Sequence, residues 1–289
     1  MSATLIEGQP VADRIEEEVK TKVAQMASPP KLAAVLASEN PGAKYYARSQ
    51  RKSCEEVGIE YELHTLDPDS SQDEIEDHIR GLNEESDLNG IILLMPVPEG
   101  VNAREVQQTI DPEKDVEGVH PANIGRLFYG DFSLPPCTPN AVVTMLAGLD
   151  MDLKGKETVV VGHSEIVGKP TVVMLLKSLM ESPTVTCCHI ATRDLAFHTK
   201  RAEVLIVAAG KAGLVSGDMV KEGAVVIDVG INRVKVEEGG EKKTKVVGDV
   251  EFEEARERAA AITPVPGGVG LVTTAMLLRN TVECAQRQR

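Results

Sequence analysis

Aromatic residues are scarce in this chain of 289 residues, which has four Tyr, four Phe and no Trp. Proteins that bind single-stranded nucleic acid stack bases on aromatic side chains, and few such platforms can be built here. Basic residues are also outnumbered, with 31 Lys and Arg against 45 Asp and Glu, and the formal net charge is −14. A polyphosphate would be repelled at long range. We therefore expect no nucleic-acid partner.

The chain also lacks the patterns of a disulfide framework, a zinc site, a leader peptide and a membrane span. Its five cysteines are scattered, odd in number and without CxxC spacing, which suits a reducing cytoplasm. The first residues do not combine a basic segment with an apolar run. No segment approaches the ~18–20 consecutive apolar residues that cross a bilayer. We expect a cytoplasmic protein with no bound metal and no membrane partner.

What the sequence does have is a regular alternation of short apolar runs with amphipathic stretches. The apolar runs predict strands over 31–36, 60–66, 90–95, 158–162, 184–188, 204–208 and 224–229. The amphipathic stretches predict helices over 9–26, from the turn at 40–42 through 56, and over 71–85, 142–149 and 271–286. Such alternation is typical of an α/β fold with a mostly parallel sheet covered on both faces.

A turn cluster at 135–139 separates two series of predicted strands. We therefore predict two α/β lobes with a cleft between them. The first would consist of residues 1–145 together with the terminal helix, 271–289. The second, residues 146–270, would be a Rossmann-like dinucleotide-binding domain.

The most informative local motif follows the predicted strand at 158–162. The strand ends at Gly162, a short loop follows, and Pro170 suits the first turn of a helix. Backbone N–H groups and the helix N-terminus would then face an anion such as a pyrophosphate. Ser164 replaces the second glycine of the usual G-x-G-x-x-G, and an ordinary strand–helix turn is the alternative. Two further glycine-ended strands, at Gly210 and Gly230, favour the nucleotide crevice.

A second motif, residues 263–270 (TPVPGGVG), contains two prolines and three glycines in eight residues. The prolines make the turn rigid, and the glycines leave its backbone open to close approach by a flat ligand. An inter-domain hinge would have the same composition. By itself this motif does not decide between a ligand contact and a hinge.

Together these motifs resemble those of the methylenetetrahydrofolate dehydrogenase/cyclohydrolase family, from Leu5 to the C-terminus. The resemblance also rests on 114–118 (KDVEG), 136–139 (PCTP) and 226–232 (VIDVGIN). It implies a folate cleft between two lobes, a nicotinamide cofactor on the second lobe and a homodimer. The cofactor contacts that it implies are Gly162, His163, Ser164, Ile166, Val167, Ile190, Gly210 and Ile231. The implied substrate contacts are Tyr46, Glu117, Pro266, Gly267, Gly268 and Gly270.

The sequence departs from the family pattern at the folate site. The family places a lysine four residues after the tyrosine, and an alignment anchored at 40–41 and 54–58 puts Gln50 there, after Tyr46. The family glutamine two residues before a proline is Leu94, and the second aspartate of KDVDG is Glu117. The family proline after GGVG is Leu271. We take Tyr46, Gln50, Leu94 and Glu117 as the candidate catalytic set.

These substitutions predict an unequal effect on the family's two reactions. Hydride transfer from the methylene bridge needs positioning and no protein acid or base. Hydrolysis of the methenyl bridge needs proton transfer, and neither Gln50 nor Leu94 can titrate. We predict that the dehydrogenase is retained and that the cyclohydrolase is lost or weak. A fully bifunctional enzyme and a non-catalytic folate- or nucleotide-binding paralogue are the alternatives, and the intact 162–170 loop speaks against the second.

The choice between NAD and NADP rests on two positions. Relatives that use NADP often have arginine at 163 and serine at 190, where this chain has His163 and Ile190. These side chains offer a 2′-phosphate little compensation for its desolvation. Lys169 or Arg193 could supply some, and no acidic residue marks the strand end for a free 2′-hydroxyl. The sequence favours NAD modestly.

Overall fold

The computed structural model describes residues 2–238 and 241–288. Its strands are β1 (Thr4–Leu5), β2 (Lys31–Leu36), β3 (Glu60–Thr65), β4 (Gly90–Leu93), β5 (Glu157–Val161), β6 (Thr184–Cys188), β7 (Val204–Val207), β8 (Val225–Asp228), β9 (Asn232–Glu238), β10 (Glu241–Val247) and β11 (Ala261–Ile262). Its α-helices are α1 (Gln9–Ala24), α2 (Pro41–Val57), α3 (Gln72–Glu84), α4 (Ala103–Gln108), α5 (Pro121–Phe128), α6 (Cys137–Ala147), α7 (Gly168–Leu175), α8 (Leu195–Thr199), α9 (Phe252–Arg256) and α10 (Val269–Arg287). A 3₁₀ turn covers Gly217–Met219.

The chain forms two compact units. The six-stranded unit comprises Met1–Ala12 and Thr138–Thr273, and the three-stranded unit comprises Asp13–Cys137 and Thr274–Arg289. These bounds differ from the predicted division at 145 and 271, most of all at the N-terminus. The first residues join the six-stranded unit because β1 pairs with β11 in parallel, with Thr4 opposite Ala261.

The six-stranded unit is built on a parallel sheet with the strand order β1-β11-β8-β7-β5-β6. The middle strands are continuous apolar runs that are buried on both faces, as in Val159–Val161 and Val204–Val207. From β5 the chain first adds β6 on one side and then β7 on the other. The strand order therefore reverses between β5 and β7, which is where open α/β sheets bind ligands.

The three-stranded unit has the parallel order β3-β2-β4. The central strand β2 is apolar and almost fully buried. Helix α3 packs Ile75 and Ile79 into the same core as Val35 and Leu93, which explains its periodic apolar face. Helix α10 belongs to this unit from Thr274 onward, and the Nδ2 atom of its Asn280 donates to the backbone oxygen of Val116 at 2.9 Å.

Helix α2 shows why the longer elements were predictable. Asn40 caps its first turn by accepting from the backbone N–H of Gly42 at 2.8 Å, and Gly58 ends it with φ +81°. Elements that the pattern missed are mostly short, such as β1, β11, α8 and α9. The antiparallel pair β9–β10 was missed because its strands are highly charged. Helix α6 begins at Cys137, earlier than the predicted residue 142.

Over the described residues, no helix is both long and apolar enough to cross a membrane. The same ranges contain no cluster of three or more His, Cys, Asp or Glu side chains arranged to hold a metal ion.

Candidate active site

The loop after β5 brings backbone atoms together more closely than side chains would allow. Gly162 has φ +119°, and a Cβ atom on it would lie 2.1 Å from the backbone oxygen of Ala208. A Cβ on Gly168 would lie 2.0 Å from the backbone oxygen of Gly162. Both positions therefore require glycine. The loop leads directly into α7, and the positive end of the helix dipole there favours an anion.

Ser164, which stands where the usual motif has its second glycine, ties this loop together. Its Oγ accepts from the backbone N–H of Val167 at 3.2 Å, and its backbone oxygen accepts from that of Lys169 at 3.0 Å. The Lys169 ammonium is engaged by Glu165 Oε1 at 2.7 Å. The lysine's charge is therefore partly balanced within the loop.

A cavity of about 610 Å³ lies at the carboxyl ends of β5, β6 and β7. It is at the point where the strand order reverses, as expected for a nucleotide site. Four of the predicted cofactor residues line it: Gly162, His163, Ser164 and Ile190. Other lining residues are His189, Thr192, Leu195, Ala208 and Ala209. Its size and its position after the glycine-ended strand β5 fit a dinucleotide.

The rim of this cavity is more exposed than its floor. The rings of His163 and His189 lie edge to face, with centroids 4.8 Å apart. Ile190 is fully exposed. Ile166 and Ile231, also predicted cofactor contacts, are exposed by more than half and do not line the cavity. Val167 is half-buried at the N-cap of α7.

Gly210, the remaining predicted cofactor contact, is held by a buried carboxylate that sequence reasoning missed. Asp249 Oδ2 accepts from the backbone N–H groups of Ala209 at 2.6 Å and Gly210 at 2.8 Å. Its Oδ1 accepts from Asn232 Nδ2 at 2.8 Å. Asp249 is fully buried. It thus fixes the loop that follows β7 to the segment that follows β8.

Asp228 at the end of β8 completes this network. It accepts from the backbone N–H groups of Gly230, Asp249 and Val250 at 2.9 to 3.0 Å. Burial raises the pKa of its carboxyl to about 6, against the opposing effect of these hydrogen bonds. Two sequence signals could have indicated both aspartates: an apolar strand that ends in Asp, and Asp after glycine in 248–250.

The proline- and glycine-rich turn packs tightly within the six-stranded unit. The backbone oxygen of Gly267 accepts from Gly8 N–H at 2.8 Å, and a Cβ on Gly268 would lie 2.6 Å from the backbone oxygen of Pro264. A Cβ on Gly270 would make ordinary contact with Ile231 at 3.6 Å. Pro266 lies between these contacts, after a cis peptide bond. The turn thus joins the loop after β8 to the start of α10.

In the three-stranded unit, Tyr46 and Gln50 lie one turn apart on α2. Tyr46 is 41% exposed, whereas Gln50 is 1% exposed. Burial of the hydroxyl end raises the pKa of the Tyr46 phenol well above its usual value, and the nearby charge of Glu117 adds to this. The phenol therefore stays protonated and can donate to a ligand. Because the residue is partly exposed, a flat ring could stack on it.

The Gln50 side chain contacts a residue that the sequence analysis missed. The hydroxyl of Tyr61, on β3, donates to Gln50 Oε1 at 3.2 Å. The other end of the amide, Nε2, is buried and has no hydrogen-bond partner in the described ranges. Leu94 is also fully buried, and its backbone N–H donates to Val35 at 2.9 Å.

The segment that carries Glu117 is held by its two preceding charged residues. Lys114 is buried, and its ammonium donates to three backbone oxygens near the end of α3 at 2.7 to 3.2 Å. Asp115 accepts from the backbone N–H groups of Gly118 at 3.0 Å and His120 at 2.8 Å. Lys114 and Asp115 are therefore structural, and they fix the backbone from which Glu117 projects.

Glu117 is half-buried and has little support for its charge. Its Oε2 is 3.4 Å from Gln107 Nε2, a long hydrogen bond. Burial raises the pKa of its carboxyl to about 8, and the neighbouring Asp115 adds to the effect. Glu117 also raises the pKa of the buried Cys137 thiol, although burial contributes more. A ligand with N–H donors would supply the partners that this carboxylate lacks.

Sequence comparisons identify both halves of the chain. The profile of the tetrahydrofolate dehydrogenase/cyclohydrolase catalytic domain matches residues 6–117, and that of the family's NAD(P)-binding domain matches 136–289. The bifunctional protein FolD of Moorella thermoacetica is 48% identical over 290 residues, which cover 99% of this chain and 100% of the relative.

Comparison with solved structures indicates the same family. The bifunctional FolD dehydrogenase/cyclohydrolase of Campylobacter jejuni superimposes with a TM-score of 0.91 at 41% identity, over 100% of both chains. The Trypanosoma brucei enzyme, solved with NADP and an inhibitor, also has a TM-score of 0.91, at 34% identity over 99% of this chain and 98% of that one. The chain described here belongs to the tetrahydrofolate dehydrogenase/cyclohydrolase family of enzymes.

Proposed function

We propose that this enzyme oxidises 5,10-methylenetetrahydrofolate with a nicotinamide cofactor, and that it has lost all or most of the cyclohydrolase activity. The observation that carries the proposal is the neutral Gln50 side chain, buried at the family's lysine position. Folate would be bound by residues of 1–145 and 271–289, and the cofactor by residues of 146–270. The family resemblance implies a homodimer, and the scattered, odd-numbered cysteines favour the cytoplasm.

The dehydrogenase step asks the chain only to bind and orient. Bound nicotinamide supplies the hydride acceptor, and the folate's own nitrogen lone pair stabilises the cation that forms. Glu117 is suited to accept from pterin N–H groups, and the exposed Tyr46 ring is suited to stack on the folate. The glycines at 162 and 168 allow the close backbone packing of the loop before α7, where the cofactor's phosphates would bind. No step requires a titrating side chain.

Hydrolysis of the methenyl product is different because a water must be activated and protons moved. A well-placed acid or base contributes about 10²–10⁴-fold to such a step. Gln50 and Leu94 cannot exchange protons, and burial keeps the Tyr46 phenol protonated by raising its pKa. These residues therefore support hydride transfer far better than hydrolysis.

Full bifunctionality is the second candidate, and the names of the similar relatives favour it. The proteins from Moorella thermoacetica and Campylobacter jejuni are both described as bifunctional. In this case Gln50 would only position the water, and hydrolysis would run without a protein base.

We infer a modest preference for NAD over NADP from the rim of the cavity. Ile190 is fully exposed and offers no hydrogen bond to a 2′-phosphate. Lys169, which could compensate, is paired with Glu165 at 2.7 Å. Comparing kcat/KM for the two cofactors tests this preference, and a strong bias to NADP would overturn it.

Assays of both reactions on the purified wild type and two variants test the main proposal. Wild type should form the methenyl product with cofactor and hydrolyse it at less than about 1% of that rate, given the missing acid–base group. Gln50→Lys alone should recover little hydrolysis because Leu94 also differs, so Gln50→Lys/Leu94→Gln is the fairer gain-of-function test. Gln50→Met, which removes the amide without adding a base, is the matched control.

Wild-type hydrolysis comparable to hydride transfer would select the bifunctional enzyme. Binding of folate and cofactor by calorimetry without turnover would select a non-catalytic paralogue. Absence of binding to either compound would contradict every version of the proposal.

A further inference from the structure

The buried amide of Gln50 has hydrogen-bonding capacity that the described residues leave unused. Gln50 is 1% exposed, and its Nε2 has no partner in the part of the chain that the structure describes. Buried polar groups are nearly always satisfied, so a donor of this kind in a native site calls for a partner that arrives from outside. Gln50 follows Tyr46 by one helical turn, within the candidate folate site.

The orientation of this amide is set by Tyr61. The Tyr61 hydroxyl donates to Gln50 Oε1 at 3.2 Å, so the oxygen end is engaged and the N–H end is left free. The Tyr61 ring is itself held, because it is half-buried on β3 and the Arg51 guanidinium lies 5.6 Å from its centroid. Burial raises the pKa of the Tyr61 phenol well above its usual value, so the hydroxyl keeps the proton that it donates.

Gln50 lies on the same face of α2 as Tyr46, which precedes it by four residues. Gln50 acts to lower the pKa of the Tyr46 phenol, in opposition to burial and to the charge of Glu117. Tyr46 is 41% exposed, so a ligand stacked on its ring would lie on the same helix face as Gln50.

We propose that Tyr61 is a positioning residue for folate, because its hydroxyl holds the oxygen of Gln50 and so keeps the Gln50 N–H end for an acceptor atom of the bound folate. This inference rests on the proposed function. It adds Tyr61, which lies outside α2 and outside the family motifs, to the residues that support folate binding. Without the hydroxyl, the amide can turn its oxygen toward the ligand, where acceptor would face acceptor. The interaction is present both in the bound substrate and during hydride transfer, so it contributes uniform binding.

The test is the variant Tyr61→Phe, which removes the hydroxyl and keeps the ring beside Arg51. KM for 5,10-methylenetetrahydrofolate should rise about fivefold, the scale of one neutral hydrogen bond, with kcat and the cofactor KM almost unchanged. Gln50→Leu should raise the folate KM by a similar factor. In the Gln50→Leu background, adding Tyr61→Phe should change the folate KM by less than about twofold, because the two residues act as one unit.

Two results would overturn the proposal: an unchanged folate KM in a folded Tyr61→Phe protein, or fully independent effects of the two substitutions. A merely structural tyrosine would lower the melting temperature without this coupling. Tyr129→Phe, at a tyrosine that is 90% exposed, is the matched control. Direct folate affinity, measured by calorimetry on each variant, separates this inference from the proposed function. A wild type that binds folate without turnover defeats the proposed function, whereas equal affinities of wild type and Tyr61→Phe defeat this one.

Discussion

The loops of the six-stranded unit and helix α2 of the three-stranded unit are built on different principles. Around the cavity, backbone atoms approach closely at Gly162 and Gly168, and buried Asp249 accepts from three donors. On α2, the proposed function depends on side chains with unused hydrogen-bonding capacity, such as the Gln50 amide. A site made from backbone persists when side chains change. A site made from side chains can lose one reaction through one substitution and keep another.

The substitution Gly162→Ala tests this difference between the two units most directly, and we expect it to have the largest effect on ligand affinity. The added methyl group would meet the backbone oxygen of Ala208 at 2.1 Å, at a φ of +119°. The strain and the overpacking together predict a loss of cofactor affinity of at least about 100-fold. Cofactor titration by fluorescence or calorimetry measures it, with folate affinity as the internal reference.

Gly81→Ala is the control for Gly162→Ala. It lies on α3, and a Cβ there would meet nothing within 4 Å in the described structure. Replacing glycine by alanine in an exposed helix should stabilise the protein by about 0.5–1 kcal/mol. The affinities for the cofactor and for folate should not change. Equal cofactor affinity in Gly162→Ala and wild type would show that the loop does not need its close approach.

A smaller effect is expected for Asp249→Asn, which tests the buried carboxylate behind the loop. An amide cannot accept from Ala209, Gly210 and Asn232 at once, so at least one donor is left unpaired. We expect a loss of about 2 kcal/mol in the free energy of unfolding and about a tenfold rise in cofactor KM. Denaturant melts and initial rates measure the two quantities.

The exposed Asp218→Asn is the control for this substitution, because its side chain is 74% exposed. A folate KM that rises as much as the cofactor KM in Asp249→Asn would mean general damage to the fold. It would remove the specific link between Asp249 and the cofactor loop.

The sequence predicts the strands and helices whose signal lies in neighbouring residues. The apolar run 31–36 and the helix after Asn40 could be placed because burial and capping leave a pattern in neighbouring residues. The pairing of β1 with β11 could not, since two-residue strands have no period to detect.

For the candidate site, the family motifs predict Tyr46, Gln50 and Glu117, and these residues stay predictions. The sequence could not show that Tyr61 meets Gln50, because these residues come from a helix and a strand that pack only in the folded unit. Nor could it show that Asp249 would be brought to Gly210, 39 residues away along the chain. Contacts of this kind depend on tertiary structure, so no fixed spacing of residues along the sequence predicts them.

The proposed role of Glu117 in folate binding can be tested by measuring the folate KM at different pH values. The pKa of Glu117 is raised to about 8, so the carboxyl is mostly protonated at pH 7 and mostly ionised at pH 9. If the ionised form accepts from pterin N–H groups, folate KM should fall by up to about tenfold from pH 7 to pH 9. Initial rates across this range measure it, and the cofactor KM should stay flat.

The same shift has a consequence for stability. A carboxyl whose pKa is higher in the folded state favours folding at low pH, and this contribution is lost as pH rises from the unfolded value through about 8. Glu117→Gln should remove both the pH dependence of folate KM and this loss of stability. A folate KM that keeps its pH dependence in Glu117→Gln would assign the titration to another group.

The smallest expected effect comes from the rim of the cavity and is measured with Ile190→Ser. Ile190 is fully exposed, so its replacement should change the free energy of unfolding by less than about 0.5 kcal/mol. The serine hydroxyl can donate to a 2′-phosphate, and kcat/KM for NADP relative to NAD should rise about threefold. Leu179→Ser, at an equally exposed residue, should leave this ratio unchanged. An unaltered ratio in Ile190→Ser would place cofactor choice elsewhere on the rim, with His163 the next residue to exchange. A threefold change at the rim beside a 100-fold change at Gly162 would show that backbone holds the cofactor and exposed side chains only select it.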